Sequence, residues 1–255
     1  MTARALLVRG LVAGLLAGFA TFLVAHQVGE PPVETAIALE EAGSHHADGH
    51  THGDEAEEAA PVSRGTQRTW GLLTASLAVG TALGGLVALG AAAVAGRVGR
   101  VGVTGAAAGV ALLGFVAVAL VPFLKYPASP PGVGSGDTIG TRTEYYFGFL
   151  LVSVVAALVA TVLAARAWSR LGTWGAVLLG AGLYLVVVVG AGVVMPPVNE
   201  VGHFPADTLW SFRRASLLTL VTLWATIGVA LSGLLGRLEK RESAVARRRA
   251  LAASL

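Results

Sequence analysis

"YYFGFLLVSVVAALVATVLAARAWSRLGTWGAVLLGAGLYLVVVVGAGVVM", residues Tyr145–Met195, decides the fold. Two apolar runs, Tyr145–Ala165 and Trp174–Met195, flank a short break that carries Arg166 and Arg170. Each run is about 20 residues long, enough for a helix rising 1.5 Å per residue to cross a hydrocarbon core roughly 30 Å thick. Neither run contains Asp, Glu, Lys or Arg. Trp168 and Trp174 stand at the run ends, where indole rings favour the membrane–water interface. The stretch predicts two membrane helices joined by a tight basic turn.

The rest of the chain repeats that grammar. Charged residues make up 13% and mean hydropathy is +0.72, against about 25% charged in a soluble domain. Apolar runs recur at Gly10–Val28, Trp70–Ala95, Val101–Phe123 and Leu209–Leu235, so the chain reads as six spans. The expected fold is an all-α polytopic membrane helix bundle, a single integral membrane domain over residues 1–255. The first run, preceded by Arg4 and Arg9, also has the look of a signal peptide, and its cleavage would leave five spans. No small-x-small cleavage site follows it, and Gly10, Gly14 and Gly18 form a ladder suited to close helix contact, so retention is expected. Gly80 with Gly84, and Gly105 with Gly109, offer similar faces on the second and third spans. The chain has no cysteine, which excludes disulfides, thiolate metal sites and cysteine catalysis.

Cation placement sets the orientation. The N-terminus, residues 96–100 and 166–173, and the tail 236–255 together hold twelve of the eighteen Lys and Arg. Only Glu239 and Glu242 oppose them there. The other side holds the remaining thirteen acids and all six histidines, so the two sides carry +10 and −7. This predicts cytoplasmic termini, a basic cytoplasmic tail and a location in the cytoplasmic (inner) membrane.

The outward face carries the elaborated loops. The first, residues 29–69, contains "SHHADGHTHGDEAEE", Ser44–Glu58. His45, His46, His50 and His52 alternate with glycines and acids, a composition able to wrap a divalent cation with Asp48, Asp54 or Glu55 completing the shell. The competing reading is a solvated acidic linker. The second and third loops, Pro122–Glu144 and Met195–Ser216, open with prolines like the first, which are expected to end the incoming helices. They share the pattern PP…G…DT[IL]…R, with Asp137 and Asp207 placed to cap the following helices.

Single polar residues stand at the helix mouths. His26 is followed by Glu30, and Glu200 by His203 beside Asn199. Carboxylate plus imidazole suits a borderline divalent metal, so these four form a candidate vestibule, unless the histidines only cap helix ends. Arg213 and Arg214 are costly facing lipid and are expected to pair with Asp207 or Glu200.

The segments "GEPPVETAIALEEA" (Gly29–Ala42), "PFLKYPASPPGVG…TIGTRT" (Pro122–Thr143) and "PPVNEVGHFPADTLWSFRRASL" (Pro196–Leu217) resemble the hallmark segments of CbtA, a family of predicted cobalt transporter subunits. The resemblance implies cobalt uptake linked to cobalamin synthesis, and a small one-span histidine-bearing partner (CbtB). It implies five spans where six are counted here, and it brings no ligand set. Cobalt(II) is then the expected substrate, with nickel and zinc as alternatives, and no tightly bound cofactor is expected. Expected partners are the lipid bilayer, the divalent metal ion and the one-span CbtB-like protein, but no nucleic acid. A haem or quinone enzyme would want histidines deep in the spans, and none lies deeper than His26. No Gly-x4-Gly-Lys phosphate loop is present for ATP-driven work. The rival to a transporter is a non-transporting metal-binding accessory or sensor protein.

Overall fold

In the computed structural model, residues 2–47, 62–97 and 101–254 are described. The described chain is helical with no strand. Its elements are α1 (Ala3–Val24), α2 (Glu30–Ala47), α3 (Arg64–Thr66), α4 (Leu72–Val94), α5 (Val103–Gly114), α6 (Val121–Lys125), α7 (Ile139–Val194) and α8 (Ala206–Ala252). Wider π-helical turns join α1 to α2 (Ala25–Gly29), α3 to α4 (Gln67–Gly71) and α5 to α6 (Phe115–Leu120). Five helical stretches are long and apolar enough to cross a membrane: Ala3–Gly43, Arg64–Val94, Val103–Lys125, Gly136–Val194 and Ala206–Ala252.

The helix exteriors are greasier than their contacts. Val229 is 77% exposed and Leu112 64%, whereas Ala13, Ala17, Ala88 and Ala91 are fully covered. Small residues inside and large apolar residues outside is the arrangement that lipid, not water, rewards.

Prolines do not end the first helix as the sequence predicts. The chain passes Pro31 and Pro32 and stays helical to Ala47. The cause is the π turn just before them, in which the Glu30 N–H donates to the Ala25 carbonyl five residues back. The widened turn relieves the clash a proline makes with the carbonyl four residues earlier. Pro122 follows the π turn Phe115–Leu120 in the same way and is buried within α6.

The helices form two compact units: Met1–Thr21, Ser76–Phe115 and Val221–Leu255 in one, Phe22–Ala75 and Val116–Leu220 in the other. In the first, Gly10, Gly14 and Gly18 of α1 lie against Gly80 and Gly84 of α4. A Cβ on Gly80 would sit 2.5 Å from the Gly14 carbonyl oxygen and 2.6 Å from the Gly18 nitrogen, so backbone meets backbone here. Among the described residues the expected smooth face at Gly105 and Gly109 is not used: nothing lies within 4 Å of a Cβ at Gly109, and Gly105 meets only its neighbour Val101. In α5 the close approach is instead at Gly114, against the ring of the buried Trp224. Ile227, Leu231 and Leu235, one turn apart on α8, are fully buried.

In the second unit, α7 is not one rod. At about 1.5 Å per residue its length would far exceed the hydrocarbon thickness. Gly172 interrupts it with φ 67° and ψ −177°, a conformation open to glycine and strained for other residues. The two arms fold back on each other. The Ser153 hydroxyl meets the Tyr184 hydroxyl at 2.8 Å, Gly180 faces Ala160 and Ala164, and Gly148 faces Met195. Ser153 also donates to the Ala117 carbonyl at 2.7 Å, which leaves Tyr184 as donor in the hydroxyl pair.

Gly80→Val is expected to force α1 from α4 and cost about 1–3 kcal/mol, the usual penalty of overpacking. Gly109→Ala should melt at or slightly above the wild-type temperature, since helix propensity favours alanine. Thermal unfolding by circular dichroism in detergent would check both, and equal melting of Gly80→Val and wild type would refute the contact.

Candidate functional site

The site is built within the second unit, from the loops that follow α6 and α7. Helix α6 stops where Tyr126 leaves helical geometry, at φ −127° and ψ 77°. Lys125 Nζ then donates to the Met195 carbonyl at 3.0 Å, and the Tyr126 hydroxyl to the Pro196 carbonyl at 2.8 Å. Both carbonyls lie just past the end of α7, where no helical N–H can reach them. These two bonds fasten one proline-rich loop to the other. Burial, with the neighbouring Tyr145, pushes the Tyr126 phenol above its ordinary range.

Glu200 is the second fastening. Its Oε2 accepts from the Thr138 hydroxyl at 2.7 Å and from the Ser135 amide at 3.3 Å. Arg142 Nε stands 3.5 Å from the same oxygen, an ion pair rather than an aligned hydrogen bond. Arg142 also donates to the Ser135 carbonyl at 3.1 Å. The Thr138 hydrogen bond, partly opposed by desolvation and helped by Ser135 and Arg142, holds the Glu200 carboxyl below its usual range. One carboxylate thus closes residues 133–142 onto residues 195–205.

Beneath these fastenings lies a cavity of about 740 Å³. Its polar lining includes Glu30, Glu200, Arg142 and Arg213, and its walls are largely apolar, with Val118, Phe123, Phe147 and Leu220 among them. The cavity therefore gathers two of the four vestibule residues expected from sequence. Both carboxylates already hold an arginine: Glu200 has Arg142, and Glu30 pairs with Arg64. Arg68 pairs with Glu34 in parallel, so the two ends of the segment 29–69 are clamped by two ion pairs.

The histidines stand elsewhere. His26 does not line the cavity; its Nδ1 donates to the Arg68 carbonyl at 3.1 Å and its ring stacks on Phe22. A carbonyl can only accept, so Nδ1 carries the proton, and in the neutral ring Nε2 keeps its lone pair. His203 is exposed in the turn after Glu200 and is not a lining residue. His45 and His46 lie on the last turn of α2; His50 and His52 lie outside the described residues. Among the described residues no three His, Asp or Glu converge on a point where they could hold a metal ion.

Three further residues differ from expectation. Among the described residues, neither Arg213 nor Arg214 pairs with Asp207 or Glu200. Arg142 takes Glu200 because the loop before α7 folds over it, whereas Arg213 Nε donates to the Ala128 carbonyl at 3.4 Å. Asp137 does not cap α7: Ser135 caps the short 3-10 turn Gly136–Thr138 by accepting from the Asp137 amide. Arg142 is the terminal arginine of the repeated PP…G…DT[IL]…R pattern, so the signal for it was in the sequence, but its partner was not.

The chain matches the family model described as "Probable cobalt transporter subunit (CbtA)" over residues 3–236. It belongs to the CbtA family. That match contains both fastened loops and every residue lining the cavity, and leaves most of the basic end of α8 beyond it. As a CbtA member with several long apolar helices, the chain is a multi-pass membrane protein of a family described as a probable cobalt transporter subunit. No curated protein and no solved structure matches it.

The sign of the Glu200 shift sets a pH test. Because its folded-state pKa lies below the ordinary 4.5, the fastening is complete above that value and is lost as pH falls through the lowered one. Hydrogen exchange of residues 127–138, corrected for intrinsic rate, should stay protected in wild type as pH passes 4.5 and fail only below it. Glu200→Gln should exchange faster throughout and show no such step; loss of wild-type protection at or above 4.5 would contradict the assignment.

Proposed function

We propose that this CbtA chain forms the membrane path for cobalt(II) uptake, linked to cobalamin synthesis, with nickel or zinc as alternative substrates. The observation that carries the reading is the family match together with a cavity held between two fastened loops of the second unit. The protein crosses the cytoplasmic membrane six times, because the two arms of α7 turn back at Gly172 beside Arg166 and Arg170 and each makes its own crossing. Both termini face the cytoplasm, where the cation-rich segments belong.

Capture and passage are separate steps in this reading. The loop carrying His45, His46, His50 and His52 raises the local concentration of the ion on the acidic outer face. The ion then meets His26, Glu30, Glu200 and His203. Since Glu30 and Glu200 each hold an arginine at Oε2, a cation that binds them competes with Arg64 or Arg142 for their charge. An inside-negative potential favours the inward step by about 2.3 kcal/mol per charge per 100 mV, about 4.6 for a divalent ion. No resident cofactor is required. A small one-span histidine-bearing protein is the partner proposed to complete the transporter.

Accumulation of radioactive cobalt in cells lacking their own importers tests this, with the chain expressed alone and with such a partner. Glu200→Ala and His203→Ala should each lower uptake several-fold, and deletion of residues 45–52 should lower it only at scarce cobalt. Chain-independent accumulation in both settings, with the protein shown in the membrane, would instead identify a metal-binding accessory protein.

A further inference from the structure

Arg213 is the one guanidinium lining the cavity whose charge goes unanswered within the described residues. It is half-buried, and its Nε makes a single long bond to the Ala128 carbonyl, an uncharged acceptor. The hydroxyls next along α8 are uncharged, and among the described residues their bonds run to the helix backbone, Ser216 donating to the Phe212 carbonyl and Thr219 to the Ala215 carbonyl. Of the charged side chains that line the cavity, Glu200 is paired with Arg142 and Glu30 with Arg64 from outside the lining, so Arg213 has no charged partner among the described residues. A guanidinium in apolar surroundings is costly until a carboxylate or phosphate occupies its fork.

We propose that the cavity binds an amphiphilic organic anion, its carboxylate or phosphate on Arg213 and its apolar body against Val118, Phe123, Phe147 and Leu220. A divalent cation gains nothing from Arg213, a like charge, within this space of about 740 Å³, and would meet Glu30 and Glu200 in competition with Arg64 and Arg142. That volume lies within the roughly 300–1,000 Å³ of small-molecule sites. The ligand is either an anionic lipid or a soluble organic acid, which share this chemistry. The inference goes beyond the transport reading and does not require cobalt to pass through the cavity.

Native mass spectrometry of the full chain, released from detergent, tests it with four probes: dioleoyl phosphatidylglycerol, the phosphate-free dioleoylglycerol, octanoate and 1-octanol. At least one anion should bind about tenfold more tightly than its neutral counterpart, the ratio expected of a charge-assisted bond. Phosphatidylglycerol alone would name a lipid, and octanoate binding that phosphatidylglycerol displaces would admit a soluble acid. Arg213→Gln should erase the preference, Arg213→Lys should retain part of it, and the exposed Arg214→Gln should leave it intact. Equal binding of charged and neutral probes to wild type overturns the proposal without any variant, as does an unchanged preference in a folded Arg213→Gln protein. Cobalt accumulation is measured separately, so failure here and failure of the transport reading are distinguishable.

Discussion

A peptide group in hydrocarbon finds no water to bond, so each N–H and C=O must be satisfied by the chain itself. Helices meet that demand locally, which is why a chain this apolar resolves into helix and connecting loops. The same constraint explains how its irregular points are treated. The π turns before Pro31 and Pro122 accommodate the prolines while helix continues on both sides. Ser153 gives its proton to the Ala117 carbonyl and receives one from Tyr184, so a buried hydroxyl pair is answered.

Packing follows from the absence of a hydrophobic drive between helices already in lipid. Attraction then comes from close contact, and close contact needs small residues. The α1–α4 contact through Gly10, Gly14, Gly18, Gly80 and Gly84 is the extreme form, with backbone atoms as the neighbours. Where loops leave the helices, carbonyls and charges need partners again. Lys125, Tyr126 and Glu200 supply them, and by doing so they close the loops over the cavity lined by Glu30, Arg142, Glu200 and Arg213.

Much of this was legible along the chain, though unevenly. The apolar runs and the proline-rich loops are local patterns, and the helices fall where those patterns lie. The basic break at Arg166 and Arg170 sits beside Gly172, so the turn in α7 could be read from charge before its geometry was known. Proline placement misled at Pro31 and Pro122, where the turn before the proline widens, whereas α7 does end just before Pro196. Gly105 and Gly109 misled as well: a four-residue spacing marks a smooth face but does not say whether a neighbour uses it.

The sequence by itself determined that the chain is helical and membrane-spanning, and which family it belongs to. Apolar length, charge placement and unusual loop motifs are properties of short segments and need no partner to be read. Which charges meet was decided only by tertiary structure. Arg142, not Arg213, reached Glu200, and Arg64 reached Glu30 from 34 residues away. Ion pairing falls steeply with distance and depends on which side chains are brought within a few ångströms. Composition holds the charges, but only the folded loops choose their partners and leave Arg213 facing the cavity with none among the described residues.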